Sequence, residues 1–385
     1  MNRSEAWEEA DTDLIQRPET LKLDIKEGLI PPLKIAITTL EGLHTPGANS
    51  DALWINPFIE TLDDDMRLVA AICDGVTGGE LDSKHFTGKF ASEFFIQTLP
   101  SILEDLRNHP VELDFSTKYF NPYEVTGLNM GRYGFSNEMN LKASKIPAHL
   151  VYDGTPIIAN YWMEDPEFLD QEEIPTVYAQ SPWQLTAGED FEQLPEFMVI
   201  NAIKYAVNLF QNKFFNYAQH CERGIYGSLT TLVMILELED DYLLVNVGDS
   251  PYCFIHQMGE EREIILSPDH NDGFGAITSC IGARFFYGDC LPPGVKNLNP
   301  VMPSEISTLR ISKKIAKKGV FVLSSDGMFV DFNGGKFEYF DYLKSCSHQS
   351  PANLIRNAFN HSFRTDEKLQ IQHPDDKTIF TAKFE

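Results

Sequence analysis

Apolar runs that stop at an aspartate recur along this chain, and they constrain its fold more than any other feature. In RLVAAICDGVTGG the run 68–73 ends at Asp74. In YLLVNVGDS the run 242–247 reaches Gly248 and Asp249. In VFVLSSDGMF the run 320–324 reaches Asp326. Other acids stand just before such a run: Asp51 in NSDALW, and the neighbours Asp375 and Asp376 in DDKTIF. These runs are short and rich in β-branched and small residues, which predicts buried strands. Glycine beside an acid lets the backbone turn tightly and brings its own carbonyl close to a ligand. A single Asp-Gly is an ordinary turn. A series of them in order, each beside an apolar strand, points to carboxylates delivered to one place.

Carboxylates that meet repel each other and resist ionisation unless a cation neutralises them. Carboxylate and carbonyl oxygens are hard ligands suited to Mg²⁺ or Mn²⁺. Two such ions a few ångströms apart can orient and ionise a water and neutralise a phosphoryl group. The charge balance fits either this reading or simple solubility: 57 acids face 31 bases, a formal net charge of -26. Such a surface repels phosphate backbones and anionic lipid, so neither nucleic acid nor membrane is an expected partner. Cys73, Cys221, Cys253, Cys280, Cys290 and Cys346 are scattered without a CxxC pair, which argues against a thiolate zinc site. The N-terminus lacks an apolar signal region, and no run of about 18 apolar residues appears. A cytoplasmic protein with reduced thiols is the expectation.

With 385 residues, 43% of them hydrophobic, the chain can bury a large core in one or two domains. Residues 1–30 are expected to form an acidic N-terminal arm, and 31–385 the main domain. LKIAITTLEG, GANSDALWINPF and MRLVAAICD predict three strands. SKHFTGKFASEFFIQTLPSILEDL predicts a helix, with Phe86, Phe90, Phe94, Phe95 and Leu99 on one face, Ser83 as its N-cap, and Pro100 kinking or ending it. Residues 107–188, rich in Pro, Asn, Tyr and Phe without a long periodic run, are expected to be an insertion with its own irregular packing. A helix returns over 192–221, its Met and Phe residues at core spacing. Four strands then follow between Ser228 and Leu266, a loop-rich section spans 270–305, short helices cover 337–346 and 351–361, and KTIFTAKF is the last strand. Periodicity alone gives an α+β protein.

In order and setting, these elements resemble the metal-dependent protein phosphatases, the type 2C serine/threonine phosphatases, from about Thr38 to Phe384 outside the insertion. ANSDA is similar to the family's Asn-x-Asp-Ala, DGVTGG to Asp-Gly-x-Gly-Gly, and NVGDSPY to the Gly-Asp-Ser that ends a long hairpin. SPDHND resembles its Asp-His element, AITSCIG its Leu-Thr-x-x-Leu-Gly, LSSDGMF its Ser-Asp-Gly, and DDKTI its Asp-(Asn/Asp)-x-Thr. No single motif is specific; the ordered set is.

The resemblance implies a four-layer αββα sandwich of two antiparallel sheets flanked by helices. It implies two Mg²⁺ or Mn²⁺ ions, with a third held more weakly. Asp74 would bridge the two ions and the Gly75 carbonyl would bind one of them. Asp326 and Asp375 would complete that site, Asp51 would hold metal-bound water, and Asp249 would help to bind the third ion. Asp74, Asp326 and Asp375 are thus the expected catalytic residues. Asp376 falls where the family often has Asn and would have a supporting part, while Asp269 and His270 would fix a loop. The implied chemistry is in-line attack of a metal-activated water on a phosphoserine or phosphothreonine of a protein substrate, without a covalent intermediate. A monomer is expected.

Two departures bear on phosphate binding. Many members have an arginine five residues before the early aspartate, where this chain has Pro46, with His44 nearby. The histidine that often follows the Asp-Gly is here Val76. The flap region between SPDHND and AITSCIG is short, and 107–188 either takes its role or is a surface elaboration. These departures keep two other functions in view: a pseudophosphatase acting as a regulatory binding module, and a phosphoesterase for a small molecule. DFNGG lacks the accompanying kinase motifs, and FTGKF lacks the P-loop spacing.

Overall fold

The computed structural model describes residues 23–40, 51–56, 66–76, 87–108, 148–152, 155–162, 195–219, 227–258, 261–268, 270, 277, 279–285, 298–330, 335–362 and 376–385. Seventeen strands and six helices lie among them. One six-stranded sheet is built from β1 (Lys26–Ile30), β2 (Leu33–Leu40), β17 (Lys377–Phe384), β16 (Gly319–Ser324), β11 (Tyr252–Met258) and β12 (Glu261–Leu266), in that spatial order. A seven-stranded sheet runs β3 (Ala52–Ile55), β4 (Met66–Cys73), β9 (Leu232–Leu238), β10 (Asp241–Val247), β15 (Ile306–Ser312), β7 (Thr155–Trp162), β6 (Ala148–Tyr152). A small sheet of β14 (Leu298–Val301), β13 (Ile281–Phe285), β8 (Gly227–Thr230) and β5 (Gly75–Val76) continues from it.

Side chains alternate across a strand, so each sheet has two faces to bury. Three apolar clusters show where they go. Val69, Ile72, Val233, Ile235 and Leu244 of the seven-stranded sheet meet Leu33, Phe254, Phe321, Leu323 and Phe380 of the six-stranded one. The first sheet's other face, with Leu68, Cys73, Leu232 and Met234, packs on helices α1 (Thr87–Asn108) and α2 (Pro195–Gln219). The second sheet's outer face, with Ala36, Cys253, Val322 and Ile379, packs on α5 (Gly335–Cys346) and α6 (Pro351–Ser362). The layer order is therefore helix, sheet, sheet, helix. This is the αββα sandwich expected from the sequence. Phe210 of α2 sits 5.1 to 5.7 Å from the ring centroids of Phe90, Phe94 and Phe95, locking the first helix pair. Two short helices, α3 (Lys313–Ala316) and α4 (Gly327–Val330), flank β16.

One irregularity sets the phase of β4. Leu68 pairs with Leu236 but Ala70 pairs with Ile235, so Val69 is an extra residue, a β-bulge. Val69 and Ala70 consequently both face the other sheet, and from Ala71 onward the alternation is reversed. Cys73 therefore points at the helices.

Several expectations change. Pro100 does not end its helix: α1 runs on to Asn108, with Leu99, Ile102 and Leu103 buried on either side of the proline. Ser83 lies outside the described residues. Residues 26–30, expected in the N-terminal arm, form β1 and pair with β2. The segment 107–188, expected to pack irregularly, contributes a hairpin, β6–β7, whose second strand pairs in parallel with β15. Its signal lies in AHLVY-DG-TPIIANYW, two apolar runs separated by Asp-Gly, a dipeptide favoured in hairpins.

The sandwich depends on large rings between its sheets. Phe321 is fully buried and lies 4.9 Å from Phe254 and 5.1 Å from Tyr242, ring centroid to ring centroid. Phe321→Ala is expected to cost about 3–5 kcal/mol, read as a lower denaturant midpoint in urea unfolding.

Candidate active site

The strand registers gather the aspartates at one rim of the sandwich. Ala52 pairs with Cys73, so Asp51 and Asp74 lie side by side just beyond that pair. Leu232 pairs with Val247, so the end of β10 and the residues after it, Gly248 and Asp249, reach the same rim. Residues 248–251 then carry the chain directly from β10 of one sheet to β11 of the other. On that second sheet Tyr252 pairs with Leu323, and Ser324 pairs with Ile379. Asp326, just after β16, and Asp376, just before β17, therefore stand at this rim too. Asp375 and Asp269 lie outside the described residues.

Asp74 faces inward because of the bulge at Val69. Cys73 and Gly75 both turn toward the helices, so the residue between them turns toward the space over the other sheet. Without the extra residue, the same strand would present Asp74 to α1. The Asp74 carbonyl accepts from Thr230 Oγ1 at 2.8 Å and from the Thr231 amide at 2.9 Å. This fastens the chain where it leaves the seven-stranded sheet for the small one.

Gly75 has a packing reason of its own. A Cβ there would lie 2.5 Å from the carbonyl carbon of Gly88, and one on Gly88 would lie 2.8 Å from that of Gly75. The two glycines let β5 and the start of α1 touch backbone to backbone. Gly78 and Gly79 lie outside the described residues.

The crossover is held as firmly. Gly248 has φ +102°, and a Cβ on it would strike Thr231 at 2.6 Å. Its amide donates to His270 Nδ1 at 3.0 Å, and its carbonyl accepts from the His270 amide at 3.3 Å. Since Nδ1 accepts, the ring proton is on Nε2, which donates to Ser307 Oγ at 2.7 Å. Burial, and next the charge of Lys336, push the imidazole down to about 3, so it stays neutral. His270 fixes a loop, as expected from the sequence. Thr231 Oγ1 and Ser250 Oγ lie 2.7 Å apart, and Asn246 Nδ2 donates to the Ser250 carbonyl.

On the six-stranded side, the Ser325 amide donates to the Thr378 carbonyl at 2.9 Å and Ser325 Oγ accepts from the Thr378 amide at 2.9 Å. Buried Lys377 donates from Nζ to the Gly327 carbonyl, at the head of α4. These contacts tie the turn carrying Asp326 to the segment carrying Asp376.

The opposite rim is different in kind. There Arg67 and Lys313 both meet Glu237, and Arg310 makes two hydrogen bonds to Glu196 at 2.6 and 2.7 Å. Glu237 and Glu196 are thus matched by bases at that rim, whereas the other rim collects carboxylates from both sheets.

Both carboxylate oxygens of Asp51 and Oδ1 of Asp249 are buried. Burial, the Thr230 hydrogen bond notwithstanding, raises the Cys73 thiol far above its ordinary range, and the charge of Asp51 pushes the same way. This thiol is no nucleophile. The donors at the rim are carboxylate and carbonyl oxygens, a set that suits Mg²⁺ or Mn²⁺. Among the described residues, no three His, Cys, Asp or Glu side chains converge as a metal-binding group. The set expected from the sequence includes Asp375, outside them.

Sequence reasoning missed Glu305, Lys377 and Arg284. Glu305 is 4% exposed, just before β15, its amide and carbonyl both held by Ser279 Oγ. Burial pushes its carboxyl up to about 7.

No family model matches the chain, and no curated protein does. Solved structures do match. In fold, the chain is similar to type 2C serine/threonine phosphatases. PppA, a key regulatory component of T6SS in Pseudomonas aeruginosa, is 13% identical, the match covering 92% of this chain and 98% of that one, with a TM-score of 0.44. The catalytic domain of the serine/threonine protein phosphatase PstP, in complex with 2 manganese ions, is 15% identical over 91% and 97% of the two chains, at 0.44. Serine-threonine phosphatase 2C from Toxoplasma gondii is 13% identical over 94% and 99%, at 0.45. The layers and the rim of acids rest on the registers and clusters of this chain alone. Among the described residues, no helix is long and apolar enough to cross a membrane.

Two predictions follow from this geometry. Gly75→Ala forces backbone apart where β5 meets α1 and is expected to cost about 1–3 kcal/mol, read by urea unfolding. For Glu305 the folded-state pKa lies above the ordinary 4.5. Folding therefore favours the protonated acid, and the associated stability, full below pH 4.5, is lost as pH rises through about 7. Glu305→Gln should be more stable than the parent at pH 8 by on the order of 2 kcal/mol, and the gap should close toward pH 5. Thermal melts of both proteins across that range check the sign.

Proposed function

We propose that the chain is a Mg²⁺/Mn²⁺-dependent protein phosphatase that hydrolyses phosphoserine and phosphothreonine. One observation carries the reading: aspartates from both sheets and from the crossover between them share a single rim. The ordered motifs that resemble type 2C phosphatases fall on those same positions.

Asp74, Asp326 and Asp375 would hold two ions, with the Gly75 carbonyl as a further donor. Asp51 would orient water beside them, and Asp249 would contribute to a weaker third site. When bound, the ions would acidify a water and neutralise charge on the phosphoryl group. The chain itself supplies position. Asp74 is delivered by a strand end whose carbonyl is fixed by Thr230 and Thr231. Asp326 is delivered by a turn clamped through Ser325 and Lys377. Carboxylates held this rigidly need little reorganisation during reaction. The substrate is a phosphorylated protein.

The test is Mn²⁺-dependent hydrolysis of p-nitrophenyl phosphate and of a phosphothreonine peptide by the full chain. Asp74→Asn and Asp326→Asn should each lower kcat/KM at least about 100-fold. No metal-dependent turnover above these variants would overturn the enzyme reading and leave a binding module. Turnover of the small ester without the peptide would point to a small-molecule phosphoesterase.

A further inference from the structure

Arg67, Arg262, Arg310 and Arg356 each engage a carbonyl, carboxylate or amide oxygen. Arg284 is different. Among the arginines whose side chains are described, it makes no hydrogen bond and no ion pair, and it is exposed. In a chain with 57 acids and 31 bases, an arginine without an acid beside it is unexpected.

Its place in the small sheet gives it a use. Ile281 and Ala283 join the cluster under α1 and α2, so Gly282 and Arg284 point the other way. Gly282 pairs with Leu229, and Leu229 pairs with Val76. Val76 follows Asp74 by two residues and shares its face. One continuous curved face thus carries Asp51 and Asp74, then the half-buried Val76 and Leu229, then Arg284. Among the described residues its neighbours along this face are glycines: Gly282 lies two residues before it, and Gly227 lies directly opposite, where a Cβ would sit 3.0 Å from that of Arg284. The charges of Arg284 and Asp249 both act on Cys280, which lies between the shelf and the crossover.

We propose that this face is a shelf for the substrate peptide, and that Arg284 pairs with an acidic side chain flanking the phosphorylated residue. The inference rests on the phosphatase reading and deepens it to a substrate class. Strand spacing puts the Arg284 backbone about 16 Å from that of Asp74, four residues along the strands and two strands across. Extended peptide rises about 3.3 Å per residue, so with the reach of the arginine the acid stands roughly three to four residues from the phosphoresidue. Val76 and Leu229 form an apolar floor for the residues between. The net charge of the protein does not forbid an acidic partner, because exposed charges beyond about 8 Å are screened at physiological salt.

The experiment measures fluorescence anisotropy of labelled phosphothreonine peptides on the full chain. Each peptide carries Glu, Ala or Lys at one position within four residues on either side of the phosphothreonine. The parent protein should bind one Glu peptide about three- to fivefold more tightly than its Ala counterpart, the size of a solvent-exposed ion pair. Arg284→Ala should abolish that difference, and Arg284→Glu should transfer the preference to the Lys peptide. A parent protein that does not distinguish Glu from Ala at any position overturns the proposal. So does an Arg284→Ala protein that keeps the preference, or one that loses affinity for every peptide equally, which would assign the arginine to the reacting phosphate. Hydrolysis of p-nitrophenyl phosphate by the parent protein tests the phosphatase reading separately. A protein that fails there but shows the charge-swapped preference docks phosphopeptides without turning them over.

Discussion

Two sheets can share one chemical site only where the chain passes between them without a long detour. Here that passage is residues 248–251, from the end of β10 to the start of β11. It requires Gly248 at positive φ, with no room for a Cβ beside Thr231. It is anchored from one side by neutral His270 and from the other by Thr231 and Ser250. Once this crossover is fixed, every antiparallel register on both sheets counts outward from the same rim. That is why Asp51 and Asp74, distant in sequence from Asp326 and Asp376, end in one neighbourhood. A looser crossover would leave each sheet's acids at an edge, where they would be ordinary turn residues.

The bulge at Val69 is the second half of the same constraint. The crossover decides which end of β4 meets the other sheet, and the bulge decides which face Asp74 presents there. Small residues make it tolerable. Ala70 and Ala71 occupy little volume on either face, so the phase can shift without a cavity on one side or crowding on the other. Below Asp74 the glycine contact with Gly88 brings the first helix against the backbone itself. The backbone that carries the carboxylate is thereby fixed by its own sheet, by the helix behind Gly75, and by Thr231, which also meets Ser250 of the crossover.

Much of this was legible in the sequence, for physical reasons. Strands such as β9 and β16 are nearly all apolar because both faces are buried, and such runs stand out. The helices over 335–346 and 351–362 carry their own turn signals. Asp51, Asp74, Asp249 and Asp326 stand out because a charge beside an apolar run is conspicuous, and the registers bring them to one rim. What was hidden depends on tertiary pairing. The β6–β7 hairpin is short and embedded among Pro and Tyr residues, and its parallel partner β15 lies about 150 residues away. β1 is polar along most of its length, since it is an exposed edge strand. The bulge is invisible because alanine suits either face. Lys377 looks like a surface lysine, and only burial beneath the head of α4 gives it a role.

On the proposed reading, one strand serves chemistry and recognition together. β4 belongs to the sandwich, and its continuation β5 belongs to the small sheet. The switch occurs at Asp74 itself, where Thr230 and Thr231 seize the carbonyl. A side chain at the switch point is carried by a backbone that the core behind it orders, while Val76 beyond it is half-buried. Val76 pairs with Leu229, so the two apolar side chains lie together on one face of the small sheet. On the proposed reading, Arg284 would set positive charge out along this face, about 16 Å from Asp74, for a residue flanking the phosphorylated one.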